Sequence, residues 1–284
     1  MNRARTCWGV YREQAHSPNR VDDDAAIMKR VGEALAERGF NVKLVTADAI
    51  PEGACANVFV MCERGPVLGR LSAMEAAGSV VVNASAAIRN TYRHRMVELF
   101  AQLSVLAPVS RIVATDANKP RLADRVWVKR YDFHATQSDD VIYAASEAGW
   151  RDALRRFSAR GIPFIVAQEH VAGDLVKFYG VRGAAATDAK WFEWFYHRDK
   201  GMLGHRFDVA RLREAATVAA AALGLEIFGG DAIIQASGAA SIIDLNAWPS
   251  YALYRDPAAQ AIADHLTDRF NRGGAPQPSG GVDL

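Results

Sequence analysis

Asp231, Asp244 and Asn246 lie on two neighbouring apolar segments, in the stretch GGDAIIQASGAASIIDLN. The two apolar segments predict the strands of a hairpin joined by a four-residue loop, 236–239. Counting outward from that loop in antiparallel register places Asp231 opposite Asp244, with Asn246 on the same face. Two adjacent carboxylates repel each other unless a cation lies between them, and Mg²⁺ prefers an all-oxygen ligand set. The hairpin therefore predicts a magnesium site, with ordinary polar strand ends as the alternative.

The hairpin resembles the metal-binding strands of the ATP-grasp enzymes. In IIDLNAWPSY an acid, one intervening residue and an Asn precede a turn that contains Pro, and GGDAII resembles the strand before it. The resemblance extends from about residue 80 to residue 270. It implies an enzyme that holds ATP between two α+β subdomains, with Mg²⁺ on Asp231, Asp244 and Asn246.

Two lysines are implied to lie at the phosphates of ATP. VWVKRYD is similar to the family's phosphate strand, which would put Lys129 near the α- or β-phosphate. PFIVAQEHVAGDLVKFYGVRG is similar to the hinge strand and the strand after it, which would turn Lys177 back toward the phosphates. A lysine suits this role because it is a point charge on a flexible stem. Both lysines are therefore candidate catalytic residues as well as nucleotide contacts.

The hinge resemblance also implies where the nucleoside binds. Adenine needs one hydrogen-bond donor and one acceptor in fixed geometry, which the backbone at the end of the hinge strand would supply. The residues along that edge would be Gln168, Glu169, His170 and Val171. Asp174 and Glu169 are alternative acceptors for the ribose hydroxyls.

The segment NASAAIRNTYRHRMVELFAQLSVLAPVS resembles the part of these enzymes that carries a basic residue against the nucleotide. Arg93 is the first candidate for that residue, with His94 and Arg95 as alternatives. One departure follows the first phosphate lysine, where many ATP-grasp enzymes have a glycine-rich loop. The segment KRYDFHATQSDD has no glycine. Either His134 supplies a phosphate donor there, or the loop does not close in the usual way.

Substrate-binding residues are expected at the ends of the N-terminal strands. Arg12 or Arg64 could bind a carboxylate, and Glu13 or Glu63 could bind an amine. Arg255, just past the PSY turn, is a further candidate catalytic residue. Other candidates around the cleft are His16, Ser17, Asn19, Arg182, His205, Arg206, Ser250 and Tyr251.

Three functions fit these residues. The first is a carboxylate–amine ligase-like enzyme, which would use ATP to activate a small-molecule carboxylate as an acyl phosphate for attack by an amine or another nucleophile. The second is a small-molecule kinase, because QEHV and IDLNAWP also resemble the inositol polyphosphate kinases with this fold, which need a basic substrate pocket. The basic residues available for it are Arg182, Lys190, His197, Arg198, Lys200, His205 and Arg206. The third is a nucleotide-binding module without catalysis, which the missing glycines would favour.

Composition narrows the class of protein. The 284 residues carry 34 Lys and Arg against 32 Asp and Glu, and this net charge of +2 gives no broad footprint for nucleic acid. Cys7, Cys55 and Cys62 fit no zinc spacing, so free thiols in a reducing compartment are expected. No apolar run reaches the roughly 18 residues that span a bilayer, and the first residues lack an apolar signal core. We expect a cytoplasmic protein with small-molecule substrates, no nucleic-acid or membrane partner, and a homodimer as the default oligomer.

The elements that must position these residues follow two patterns. Residues 1–83 alternate strands with helices, which predicts a small N-terminal parallel α/β domain. Residues 84–163 and 164–272 are expected to form the two α+β subdomains of an ATP-grasp module, with one helix over 86–103. The Gly/Pro-rich tail 273–284 is expected to be disordered. The predicted fold class is therefore α/β followed by α+β.

Overall fold

Three four-stranded sheets organise the computed structural model, which describes residues 5–17, 20–50, 56–116, 120–134, 137–185, 187–197 and 201–272. One sheet is parallel and two are antiparallel, which confirms the fold class predicted from the sequence. Several expectations fall outside the described residues: Asn19, Cys55, Arg198, Lys200 and the tail 273–284.

The parallel sheet forms the N-terminal unit. Its strands are β1 (Arg5–Val10), β2 (Phe40–Val45), β3 (Asn57–Val60) and β4 (Val81–Val82), connected in part by the helices α1 (Val21–Glu37) and α2 (Gly65–Ala76). The order across the sheet is β2-β1-β3-β4. On α1 the apolar side chains recur at helical spacing, so Ile27, Val31 and Leu35 are fully buried in the core that the helix shares with the sheet. Because β1 and β3 are parallel neighbours, the loops that follow them meet at one edge.

Two helices, rather than one, lead into the second sheet. They are α3 (Ser85–Asn90) and α4 (Arg93–Gln102), so the single helix expected over 86–103 is wrong. Tyr92 separates them with an extended backbone, φ −60° and ψ 129°, and its hydroxyl donates to the carbonyl of Glu63 at 2.5 Å. This tertiary contact outweighs helix propensity, and the break makes Arg93 the first residue of α4.

The second sheet is antiparallel and has the order β5-β8-β6-β7. Its elements are β5 (Ser110–Ala114), β6 (Val126–Arg130), β7 (Val141–Ala144), β8 (Phe164–Glu169) and the helix α5 (Glu147–Ala159). On β6, Val126 and Val128 are buried in the core with Trp150 and Phe157 of α5. Side chains alternate along a strand, so Lys129 points to the opposite face of the sheet. The short strand β7, which pairs with β6, was not predicted from the sequence.

The third sheet is also antiparallel, with the order β10-β9-β11-β12. Its elements are β9 (Asp174–Arg182), β10 (Ala189–Tyr196), β11 (Ile227–Ile234), β12 (Ala240–Ala247) and the helix α6 (Val209–Leu223). The alanine-rich face of α6 packs on this sheet and lets helix and sheet approach closely. Gly224, at φ 79°, ends the helix in the left-handed conformation that glycine adopts without strain.

The N-terminal unit is joined to the third sheet by packing and by hydrogen bonds. The last helix, α7 (Arg255–Asn271), shares a hydrophobic core with α1. Asn83 donates to the carbonyl of Ile227 at 2.7 Å, and its side-chain oxygen accepts from the amides of Glu226 and Ile227 at 2.7 and 2.9 Å. These contacts hold the N-terminal strand ends against β11. Within the described ranges, no helix is long and apolar enough to cross a membrane.

The predicted pairing of the two acids in the hairpin is confirmed, although the residues nearer the loop are not paired as predicted. Asp231 pairs with Asp244 across β11 and β12. Nearer the loop, Ile234 pairs with Ala240, which is offset by one residue from the register of a four-residue loop. A β-bulge at Ile243 adds one residue to β12 and restores the predicted pairing. The bulge therefore decides which side chains of β12 face the cleft.

Candidate active site

Two carboxylates and a lysine form a transverse row across the third sheet. Asp231 of β11 pairs with Asp244 of β12 on one side and with Lys177 of β9 on the other. The side chains of directly paired residues point to the same face. Asn246 lies two residues beyond Asp244 and lines the same cleft as Asp231. The fold thus brings together four residues that come from three strands.

Basic side chains surround the carboxylates of the transverse row. Nζ of Lys177 donates to Oδ1 of Asp231 at 2.8 Å. At Asp244, Arg93 Nη2 lies 3.6 Å from Oδ2, and His134 Nδ1 lies 3.9 Å from Oδ1. Burial raises the pKa of Asp244, but the neighbouring cations, Arg93 first, outweigh it and hold the pKa below its ordinary value. Asp244 is therefore an ionised carboxylate that is available to a metal.

Lys129 faces the transverse row from the second sheet. Its side chain is largely buried, and Nζ donates to the carbonyl of the bulged residue Ile243 at 3.0 Å. Burial lowers the pKa of Lys129 to about 8, although the charge of Asp244 opposes the shift. Within the described part of the chain, no carboxylate lies within salt-bridge distance of this ammonium group. A buried cation without such a partner is suited to receive an anion.

Arg93 is the basic residue of α4 that reaches the transverse row. It is only 2% exposed, and Nη1 donates to the carbonyl of Arg130 at 3.2 Å. Its Nε is buried and has no hydrogen-bond partner among the described residues. The two alternatives point elsewhere, since His94 contacts a carbonyl in the loop after β6 and Arg95 donates to a side chain of α3. Of the three, the geometry favours Arg93 as an anion contact.

The described start of the glycine-free segment after β6, residues 131–134, is fixed by aromatic contacts of Phe133. Phe133 packs edge-on against Tyr92 and His16, with ring centroids 5.2 and 5.5 Å apart. The guanidinium of Arg130 lies over the same ring, 5.5 Å from its centroid. Packing of this kind holds a loop in one place, whereas glycine would leave it mobile.

His134 is the residue of that loop that faces carboxylates. Its Nε2 lies 3.7 Å from Oε2 of Glu63, on the opposite side of the ring from Asp244. Its Nδ1 is buried and has no hydrogen-bond partner among the residues described. Of the two possibilities that the sequence left open for this loop, the geometry favours His134 as a donor toward the phosphate site.

The end of the hinge strand lies beside an apolar pocket. Gln168 lines this pocket of about 300 Å³ together with Ile242 and Ile243. The ring of His170 accepts a hydrogen bond from Nε1 of Trp127 at 3.1 Å, so the histidine side chain is already engaged. In the described structure the backbone amide of Val171 donates to no protein acceptor. A free amide at this position agrees with the backbone donor expected for adenine.

The two acids considered for the ribose differ in availability. Asp174 is fully buried and accepts from the backbone amides of Leu203 and His205 at 2.5 and 2.7 Å. Glu169 is exposed at the end of β8. The geometry therefore favours Glu169 as the ribose contact and a structural role for Asp174.

A cleft of about 570 Å³ opens between the transverse row and the N-terminal strand ends. Arg12 lies in it, with Nε 3.1 Å from Oδ2 of Asp24, Nη1 donating to Glu63, and Nη2 donating to the carbonyl of Trp248 at 2.6 Å. Glu13 accepts from two backbone amides at the start of α2. The donors of Arg12 are thus already engaged, so its contacts favour holding two acids over binding a substrate carboxylate.

The remaining candidates do not form one group. Arg255 donates from Nη2 to Asp23 of α1 at 2.8 Å and does not line the cleft. Tyr251 is fully buried, with its hydroxyl 3.1 Å from the carbonyl of Phe228. Ser250 does line the cleft, as do the sequence-predicted His16, Ser17 and Glu63.

The basic residues considered for a polyphosphate pocket are also dispersed. His197 lines the cleft, but Lys190 donates to Asp268 of α7 at 3.0 Å. Arg206 lies in a separate groove beside the hairpin loop. The amide of His205 binds Asp174, which places that residue in a loop next to the start of β9. No concentrated basic pocket is formed by the described members of this set.

The transverse row fits one small, hard cation whose shell is completed by oxygens from outside the protein. Asp231, Asp244 and Asn246 offer oxygen ligands, and no three His, Cys, Asp or Glu side chains in the described ranges converge as a metal group. Mg²⁺ is held by one or two carboxylates together with phosphates and water, whereas a zinc site needs three or four protein ligands. The unpartnered donors of Arg93 and His134 fit a phosphate beside such a cation.

Comparison with family models and with curated proteins finds no match. Solved structures match at low identity over nearly the whole chain. The VanG D-Ala:D-Ser ligase from Enterococcus faecalis is 14% identical with a TM-score of 0.68, covering 94% of this chain and 100% of that one. A RimK domain ATP-grasp protein from Sphaerobacter thermophilus is 14% identical, with a TM-score of 0.67 and coverage of 92% and 99%. A D-alanine–D-alanine ligase from Bacillus anthracis, complexed with ATP, is 11% identical, with a TM-score of 0.67 and coverage of 96% and 100%. The chain has the ATP-grasp fold.

Proposed function

We propose that this protein is a Mg²⁺-dependent ligase that uses ATP to activate a small-molecule carboxylate as an acyl phosphate, which an amine or another nucleophile then attacks. The observation that carries the proposal is the transverse row, faced by the buried Lys129 across the cleft of an ATP-grasp fold. Two of the similar structures are a D-Ala:D-Ser ligase and a D-alanine–D-alanine ligase, which supports a ligase over other ATP-using enzymes.

The site residues would divide between metal, phosphates and nucleoside. Asp231, Asp244 and Asn246 would hold Mg²⁺, which when bound neutralises phosphate charge and orients the γ-phosphate. Lys129 and Arg93 would contact the phosphates from one side and Lys177 from the other. The backbone of the hinge would meet adenine along Gln168, Glu169, His170 and Val171. This division is supported by the position of Lys177 within the row and of Lys129 opposite it on the second sheet.

The ligase reaction requires neutralisation of phosphate charge more than proton transfer. A carboxylate oxygen forms a bond to the γ-phosphorus as the bond from that phosphorus to the bridging oxygen breaks, and ADP leaves. The nucleophile then adds to the acyl carbon, and inorganic phosphate leaves. Arg93, Lys129 and Lys177 supply three positive charges around this site, and preorganised charge of this kind is usually the largest contribution to catalysis.

The two other functions have less support. A polyphosphate kinase needs a concentrated basic pocket, but Arg12 is compensated by Asp24 and Glu63, and the other basic candidates are dispersed. A non-catalytic module was suggested by the missing glycines, yet the packed loop and His134 occupy that place. A cytoplasmic location and a homodimer stay predictions.

A screen for ADP release over pairs of carboxylates and amines, with product masses measured, tests the proposal. A ligase yields ADP, phosphate and a condensed product only when both partners are present. A phosphorylated alcohol formed without an amine would identify a kinase instead. Tight ATP binding with no ADP released by any pair would contradict the ligase. The Asp244→Asn variant is the matched control for contaminating ATPase activity.

A further inference from the structure

His134 lies where other ATP-grasp enzymes carry glycines, and its ring joins two parts of the molecule. One ring nitrogen faces Glu63 at the end of the N-terminal strands, and the other faces Asp244 in the transverse row. We propose that His134 contacts the γ-phosphate of ATP, and that Glu63 is the positioning residue that orients its ring. The inference rests on the proposed function, since it requires ATP in the cleft.

The position of Nδ1 is the first argument. This atom is buried, has no hydrogen-bond partner among the described residues, and lies 3.9 Å from Oδ1 of Asp244, too far for a hydrogen bond. A buried N–H without an acceptor is costly, so the site is completed when an oxygen of a ligand accepts from it. The ring lines the same cleft as Lys177 and Asp231, so that oxygen lies at the phosphate end of the site.

The packing of Phe133, next to His134, is the second argument. Phe133 is held by Tyr92, His16 and Arg130, so the neighbouring His134 is presented from a packed segment. In a glycine-rich loop the backbone amides approach phosphate because no side chain intervenes. Here packing keeps the backbone away from the phosphate, and the longer side chain of His134 reaches it instead.

The orientation of Glu63 is the third argument. It is 5% exposed and accepts through Oε1 from Arg12, while Oε2 lies on the side of His134. The bond from Arg12 fixes the carboxylate at the Nε2 edge of the ring, so the Nδ1 edge is the one that faces the phosphate end of the cleft. Because Glu63 also lines the cleft, a substrate amine bound there would share this carboxylate with the phosphate loop. Binding at the N-terminal unit is thereby coupled to the γ-phosphate contact.

Calorimetric titration of the full-length protein with Mg²⁺-ATP and with Mg²⁺-ADP tests the proposal. His134→Ala is expected to weaken ATP binding by about 10-fold and ADP binding by less than about 2-fold, because only ATP carries the γ-phosphate. Glu63→Gln is expected to lower the ratio of ATP affinity to ADP affinity by about 3-fold, since it removes the charge that orients His134 but leaves the histidine donor in place. His134→Gln keeps an N–H donor and is expected to recover part of the ATP affinity.

Asp139→Asn is the matched control, because this side chain lies in the same segment, pairs with Arg160, and does not line the cleft. It is expected to leave the ratio of ATP to ADP affinity unchanged. An equal loss for ATP and ADP in His134→Ala would show a merely structural role, and no loss would overturn the contact outright. If the unaltered protein binds neither nucleotide, the proposed function fails too. If it binds ATP tightly and the ratio does not respond, only the assignment of His134 fails.

Discussion

The two antiparallel sheets each present one lysine to the cleft, and the surroundings of these lysines differ. Lys177 of the third sheet is 32% exposed at its side chain and is paired with Asp231 at 2.8 Å. Lys129 of the second sheet is 7% exposed and donates only to a carbonyl, with its pKa lowered to about 8 by burial. One charge is already compensated and the other is not. An arriving anion therefore gains more from Lys129, because no carboxylate has to be displaced.

The largest effect is expected when a carboxylate that interacts electrostatically with both lysines is neutralised. Asp244→Asn keeps the shape of the side chain but deletes the charge that faces Arg93 and Lys129. We expect Mg²⁺-dependent ADP release to fall by about 100- to 1000-fold, the range found when one electrostatic contact to a transition state is removed. Circular dichroism should show an unchanged fold. Undiminished ADP release in this variant would refute the metal assignment.

The next effect concerns stability and isolates the buried lysine. The pKa of Lys129 falls from 10.5 to about 8 on folding, so below about pH 8 the folded state bears the full cost of the buried charge. As pH rises from about 8 to 10.5, the folded state loses its proton first, and the free energy of unfolding rises. Lys129→Met should abolish this rise, which is on the order of 3 kcal/mol over the whole interval and about 2 kcal/mol between about pH 7 and about pH 9.5.

Urea unfolding at about pH 7 and about pH 9.5, without nucleotide or metal, measures this contribution. Lys177→Met serves as the control, because Lys129 is still present in it and the rise should persist. The same pH dependence in Lys129→Met and in the unaltered protein would mean that the ammonium group is better solvated than its burial indicates.

A third experiment compares the two lysines directly through nucleotide binding. Each charge-assisted phosphate contact is worth on the order of 1.5–3 kcal/mol, or roughly 10- to 100-fold in affinity. We expect Lys129→Met to weaken Mg²⁺-ATP binding toward the upper end of that range and Lys177→Met toward the lower end. Equilibrium dialysis provides the measurement. A larger loss in Lys177→Met would reverse the comparison. A structure with bound nucleotide would exclude direct contact by either lysine if both ammonium groups lay beyond about 6 Å from every phosphate oxygen.

The smallest expected effect lies at the hinge, where the backbone and not a side chain makes the contact. His170→Ala should change ATP affinity by less than about 1 kcal/mol, because its ring is engaged by Trp127. Val171→Pro deletes an amide that has no protein acceptor in the described structure and should cost distinctly more. GTP should compete poorly, since guanine reverses the donor and acceptor of the adenine edge. Equal competition by GTP, or normal ATP binding in a folded Val171→Pro variant, would place the nucleotide elsewhere.

Most of the fold could be predicted from local sequence pattern. The alternation of strands and helices over 1–83 follows from apolar periodicity, and Gly224 marks the end of α6 through its left-handed backbone. The single helix over 86–103 was wrong because a contact from Tyr92 to a distant carbonyl breaks it. Periodicity reports which face of a helix is buried, but it carries no information about a partner far along the chain.

The candidate site could be predicted only in part. The acids of the hairpin share a face because strand period and pairing are local, so Asp231 and Asp244 were correctly placed opposite each other. The same count assumed a four-residue loop and no bulge. The pairing next to the loop is offset by one residue from that count, and the bulge at Ile243 restores the predicted pairing of the two acids. The engagement of Arg12 by Asp24 and Glu63 had no local signal, because the partners come from separate elements.

The sequence by itself determined the residue types of this site and the strands that carry them, since these follow from composition and periodicity, whereas the bulge at Ile243 sets the face to which Asp244 points. Tertiary structure alone decided how each charge is compensated. Lys129 and Lys177 are equivalent in the sequence as single lysines on predicted strands. Only the packing of the second sheet against the third buries one of them without a carboxylate partner and leaves the other paired with Asp231. Desolvation and Coulomb interaction depend on distances between elements, which local pattern does not contain.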